Sequence, residues 1–333
     1  MAAAARRVRH QQARDTNIKT ALKVVGGLVL ALLLLVAGGV AATWAPDRDV
    51  ETLKAKWAPT PSQFTEILGM QAHYRDEGPR DDAEPIVLLH GTSASLHTWD
   101  GWTEALKGQR RVIRMDLPGF GLTGPMPDGN YQLTRYVEFV VALMDKLGVQ
   151  KAVVAGNSFG GNLAWKVAVD HPQRVSRLVL VDAAGYPYDP KSVPIGFKIA
   201  QIGVLKPLMQ NTLPRSMIES SVRNVYGDPA KVTPELVDRY FELTLRAGNR
   251  GALRERFAQS PGGQYAAQIP AIKQPTLIIW GGQDRLIPPD NADRFQKDIV
   301  GSRLAMFDGL GHVPHEEDPA ATVAAVQAFL AQP

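Results

Sequence analysis

The chain has 333 residues, 45% of them hydrophobic, enough to bury the core of one large domain with an insertion. It has no cysteine, which excludes disulfides and thiolate metal sites; its seven histidines include no H-E-x-x-H pair, so no metal site is expected. The net charge of +4 belongs to one end. Six of the 37 Lys/Arg and one of the 33 Asp/Glu fall within residues 1–23, leaving 31 basic against 32 acidic residues and no nucleic-acid footprint on the body.

Residues 1–23 form a basic tail expected in the cytoplasm. Residues 24–44, VVGGLVLALLLLVAGGVAATW, carry no charge over 21 positions. At 1.5 Å per residue they span roughly 31 Å, a bilayer core. Arg6, Arg7, Arg9, Arg14, Lys19 and Lys23 precede this stretch, and only Arg48, Lys54 and Lys56 follow closely. That asymmetry predicts a single-pass anchor in the cell membrane, N-terminus inside and body on the outer, extracytoplasmic side. A cleaved signal peptide competes, but its apolar region runs only about 7–15 residues. A buried core helix would not be apolar on every face. Residues 45–62 read as a linker.

Residues 64–67 and 70–74, joined at Leu68-Gly69, predict a hairpin. Apolar strands follow at Ile86–Leu89, Val112–Met115, 152–155, 178–181, 276–280 and 304–307. Helices are expected between most of them, clearest at 134–147, where Tyr136, Val137, Val140, Val141, Met144 and Leu147 share a face. The last, 319–331, has Asp318 as N-cap and Pro319 at its first position. Such alternation predicts a mostly parallel α/β sheet covered on both faces. It stops at 188–269, where helices at 195–209, 216–225 and 234–245 predict a helical cap inserted between two parts of the core, 63–187 and 270–333. That stretch is too long to be a simple connection.

The chemistry centres on KAVVAGNSFGG, residues 151–161. A strand runs into G-x-S-x-G and then a helix at 162–169, the setting of a nucleophile elbow with Ser158 at its tip. A serine needs a base, an orienter for the base, and donors for the oxyanion. Asp284 follows the strand ending at Trp280, and His312 lies in the loop after the last strand, both at carboxyl ends of strands. His315 and Asp182 are the rivals, as base and as acid. The oxyanion donors are expected from the backbone, at Phe159 and at Thr92 after His90-Gly91.

These motifs, HGT at 90–92, DLPGFG at 116–121, GNSFGG, WGGQD and GLGHVPHEEDP, resemble those of the α/β-hydrolase superfamily from residue 64 onward. The resemblance implies an eight-stranded sheet with the cap after the sixth strand. Haloalkane dehalogenases and epoxide hydrolases look similar but use an aspartate nucleophile, against Ser158. The elbow also resembles hydrolases that cleave carbon–carbon bonds in ring-fission dienone acids. Those carry a Gly/Pro-rich run after His-Gly and a Trp after the catalytic His, where this chain has Thr92-Ser93-Ala94-Ser95 and Val313. The first expectation is therefore a membrane-anchored serine hydrolase of apolar carboxylic esters, needing no cofactor. Carbon–carbon hydrolysis, a cofactor-free perhydrolase and a non-catalytic binding module are the alternatives.

Overall fold

A computed structural model describes residues 2–202 and 210–332. The chain divides into two compact units, Met1–Ala45 with Thr212–Pro214, and Pro46–Asn211 with Arg215–Pro333. In the first, helix α1 (Ala2–Ala42) runs unbroken through the basic tail and the apolar stretch, ending two residues short of the expected 44. Its leucines lie on every face, and Leu28, Leu32 and Leu35 are all more than half exposed. Asn17–Ala42 is long and apolar enough to cross a membrane, with a mean hydropathy of 2.6.

The second unit begins with a helix where a linker is expected. This is α2 (Val50–Trp57), started by Asp49, whose side chain accepts from the Glu51 N–H. Val50, Leu53 and Trp57 fall on one helical face, and Leu53 packs against Leu122 and Leu243. Trp57 Nε1 donates to Glu242 at 2.7 Å. The linker reading failed because three apolar residues among charges and prolines look like solvated chain until their spacing is counted.

Eight strands form one sheet: β1 (Gln63–Ile67), β2 (Met70–Glu77), β3 (Ile86–Leu89), β4 (Val112–Met115), β5 (Ala152–Asn157), β6 (Val175–Val181), β7 (Thr276–Gly281) and β8 (Arg303–Phe307). Their order is β1-β2-β4-β3-β5-β6-β7-β8. β1 pairs antiparallel with β2 and β2 with β4, and every other pair is parallel. Central strands are buried on both faces, so each feeds two cores. Val87, Leu89, Ala152 and Val154 enter one; Ile86, Leu88, Val153 and Ala155 enter the other. The first is closed by α4 (Leu133–Lys146) and α5 (Phe159–Asp170). The second is closed by α3 (Asp100–Leu106) and the last helix, α12 (Pro319–Leu330), where Trp102 Nε1 donates to Thr322 Oγ1 at 2.9 Å. Asp318 caps α12 as expected, accepting from the Ala321 N–H at 3.0 Å.

Between β6 and β7 the described residues contain helices and no strand: α6 (Ile195–Ala200), α7 (Arg215–Val225), α8 (Pro234–Thr244) and α9 (Asn249–Gln259). Of the helix expected at 195–209, residues 203–209, with Val204, Leu205, Leu208 and Met209, lie outside the described residues. After β7 come α10 (Asp290–Asp298), β8 and the short α11 (Pro314–Glu317).

Candidate active site

Ser158 stands between β5 and α5 with φ 55° and ψ −116°, a conformation costly for a residue with a Cβ. Three backbone hydrogen bonds hold it there. Its N–H donates to Val181 O, and its carbonyl accepts from Asn162 and Ala184, all at 3.0 Å. The flanking glycines are steric necessities. A Cβ on Gly156 would sit 2.1 Å from Gly160 O, and one on Gly160 would sit 2.1 Å from Leu89 O.

Asp284, just past β7, accepts the N–H groups of Leu286 and Ile287 on Oδ1 at 2.8 and 3.0 Å. Its Oδ2 lies 2.7 Å from His312 Nδ1. A carboxylate partner keeps the proton on Nδ1, so Nε2 is the basic nitrogen; it is buried and has no protein partner. The backbone of His312 is also held. Its N–H donates to Val225 O at 2.7 Å, at the end of α7. Its carbonyl accepts Asn157 Nδ2, from the elbow, at 2.9 Å. Glu317 ties the same loop down, accepting Gly311 and Gly227 N–H on Oε2 at 2.9 Å and Asp228 N–H on Oε1 at 2.8 Å.

The rivals occupy other places. His315 is fully buried, with Nε2 3.0 Å from Thr98 Oγ1 and its ring centre 4.1 Å from that of Trp99, the planes tilted by 35°. Burial, then the nearby His312 and Arg239, hold its pKa well below the ordinary imidazole value, so it stays neutral in the core. Asp182 sits beside Asp284 rather than in its stead. Its Oδ1 accepts the Gly281 N–H at 2.9 Å, and Oδ2 has no donor. Burial, and next the Asp284 charge, push its carboxyl well above the usual carboxylate range, so it keeps its proton. Asp182, Asp284 and His312 offer ligand atoms within 4.8 Å of one another, a spacing open to a metal ion. Hydrogen bonds already engage both Asp284 oxygens and His312 Nδ1, which fits an acid–base pair better.

The turn after β3 lies against the elbow. A Cβ on Gly91 would be 3.2 Å from Ser158 Cβ. His90, kept neutral mainly by burial, braces the turn, with Nδ1 2.7 Å from Gly91 O and Nε2 accepting the Leu117 N–H at 2.9 Å. Thr92 follows, and Phe159 opens α5, where no earlier turn can accept its N–H. The two residues expected to donate to the oxyanion thus adjoin Gly91 and Ser158 in the chain.

One neighbour escaped the sequence reading. Arg256, on α9, is 8% exposed, and its Nη2 donates to Thr92 Oγ1 at 3.0 Å. Its guanidinium lies 4.4 Å from the centre of the Phe159 ring and 4.6 Å from that of Phe257. Burial lowers its pKa, yet a guanidinium remains charged. Thr92 and Arg256 are 164 positions apart, and α9 is too rich in charge to show which of its arginines faces inward.

Comparison with known proteins bears on the family and the fold. The alpha/beta hydrolase fold family matches residues 84–319. A 2-hydroxymuconate semialdehyde hydrolase of Pseudomonas putida is 29% identical over 283 residues, 82% of this chain and 96% of its own. A meta-cleavage product hydrolase from Pseudomonas fluorescens IP01 superposes with TM-score 0.69 at 27% identity, over 80% of this chain and 97% of that one. A bacterial membrane phospholipase A gives TM-score 0.69 at 25% identity, over 91% of this chain and 96% of its own. The chain belongs to the α/β-hydrolase fold family and is a hydrolase.

Proposed function

We propose that the chain is a serine hydrolase that forms an acyl-enzyme on Ser158. The observation that carries this is the 2.7 Å Asp284–His312 bond, which leaves a buried, basic Nε2 on the imidazole near an elbow serine. Ser158 Oγ attacks a carbonyl carbon as His312 Nε2 takes its proton, and the imidazolium then protonates the leaving group. Asp284 holds the tautomer and stabilises the imidazolium, while the N–H groups of Thr92 and Phe159 receive the oxyanion. Water repeats the cycle on the acyl-enzyme. The helical segment 188–269 acts as a cap over this site.

The relatives support carbon–carbon hydrolysis of a ring-fission dienone acid better than the ester reading that the sequence ranked first. Ester hydrolysis at a membrane is the second reading. It is favoured by the phospholipase likeness, which spans 91% of this chain, and by Val313 beside His312. Turnover of a dienone acid against a p-nitrophenyl ester by the full-length protein separates the two. Ser158→Ala tests what they share: it should leave no more than about one part in 10³ of either activity and no labelling by a fluorophosphonate. Retained turnover would refute the proposal.

A further inference from the structure

A cation beside the proposed oxyanion hole has no counter-charge. Arg256 is nine-tenths buried, its Nε is buried without a partner, and among the described residues it forms no ion pair with a carboxylate. The groups that face it are the Thr92 hydroxyl, the rings of Phe159 and Phe257, and the phenols of Tyr136 and Tyr188. Two aromatic faces offset part of its desolvation. A buried charge left like this costs stability unless something brings negative charge to it. Two of its contacts, the Thr92 hydroxyl at 3.0 Å and the Phe159 ring at 4.4 Å, belong to the residues proposed above to supply the oxyanion donors.

We propose that Arg256 is an electrostatic positioning residue of the oxyanion hole, its positive charge directed at the tetrahedral oxyanion formed at Ser158. As Ser158 Oγ bonds to the carbonyl carbon, the C=O π pair moves onto oxygen. That negative charge appears within reach of the Thr92 and Phe159 N–H groups, with the guanidinium behind both. The Nη2 bond to Thr92 Oγ1 also fixes the turn that carries one donor. In a site shielded from water such a charge acts over several ångströms, and it is oriented before the reaction begins. The inference rests on the acyl-enzyme reading above.

The test uses full-length protein in detergent, neutral p-nitrophenyl butyrate, and an alkyl trifluoromethyl ketone that forms a hemiketal oxyanion on serine. Arg256→Met should lower kcat about 10- to 100-fold with KM within about 3-fold, less than loss of a direct donor. Affinity for the ketone should fall by the same factor, and Arg256→Lys should recover part of both. Thr92→Val, which keeps the backbone donor but frees the guanidinium, should give a smaller loss that does not add to that of Arg256→Met; it serves if Arg256→Met fails to fold. Unchanged kcat in the Arg256 variants would overturn the proposal. So would a loss confined to KM, which marks a substrate-binding role, or a fall in kcat with ketone affinity intact. If Ser158→Ala stays active, the underlying reading has failed. If it is dead while the Arg256 variants are normal, only this inference has.

Discussion

Replacing Asp182 with asparagine separates the two carboxyls beside His312. In the wild type, burial and next the Asp284 charge raise the Asp182 pKa well above the ordinary value, so Asp182 keeps its proton. The unfolded chain releases that proton near pH 3.9. Between that pH and the raised native pKa, the native state therefore holds one proton more than the unfolded state. Stability then falls as pH rises, by about 1.4 kcal/mol per pH unit from this group alone. Asparagine can accept the Gly281 N–H on Oδ1 as before and turn its amide toward Asp284, with no proton to lose. Urea unfolding of both proteins at a series of pH values above about 4 should thus give a stability difference that moves in favour of Asp182→Asn as pH rises. Taking the difference cancels groups common to both proteins, including His315, whose depressed pKa acts in the opposite sense. Activity should stay within a few-fold, whereas Asp284→Asn should cost on the order of 10⁴ in turnover through the wrong imidazole tautomer. A flat difference with pH, or equal losses from the two variants, would refute the assignment of proton and roles.

His312→Ala should remove activity as fully as Ser158→Ala. His315→Gln should lower Tm, since it disturbs the buried contacts with Thr98 and Trp99, yet keep turnover per folded molecule within a few-fold; exchanged phenotypes would move the base. Gly160→Ala drives a Cβ to 2.1 Å from Leu89 O, so the variant should fail to accumulate as folded protein by size exclusion and circular dichroism. If residues 24–44 anchor the chain with the body outside, full-length protein should sediment with membranes and resist a salt wash. External protease on spheroplasts should then remove the hydrolase body. A soluble mature form beginning near Thr43 would mark a signal peptide instead, and protection from protease would reverse the topology.

The strands were legible because each is an apolar run with turn residues on both sides, and central parallel strands are buried on both faces. β3 and β4 have the bounds expected for them, Ile86–Leu89 and Val112–Met115. Ser158, Asp284 and His312 stand out as candidates because each follows a strand, and the sheet has those strands as β5, β7 and β8. The rest depends on contacts between distant positions, which no local pattern records. Asp182 reads as a competitor to Asp284 until the sheet sets β6 beside β7. Glu317 stands in a run of three acids with nothing local to set it apart, yet it binds three backbone N–H groups. Arg256 is one of three arginines within α9, and only its pairing with Thr92 sets it apart.

The anchorage of the His312 loop has a consequence for how the molecule opens. The N–H of His312 is bonded to Val225 at the end of α7, and Glu317 binds Gly227 and Asp228 together with Gly311. A fluctuation that lifts residues 225–228 must break these bonds in concert, and with them the support of the base. In native-state hydrogen exchange the amides of Gly227, Asp228, Gly311 and His312 should therefore share one opening free energy, although the two pairs lie more than 80 positions apart in sequence. If His312 is the base and residues 188–269 the cap, as proposed, any excursion of the insertion that lifts residues 225–228 would interrupt catalysis, and substrate entry that spares the base would use other parts of it.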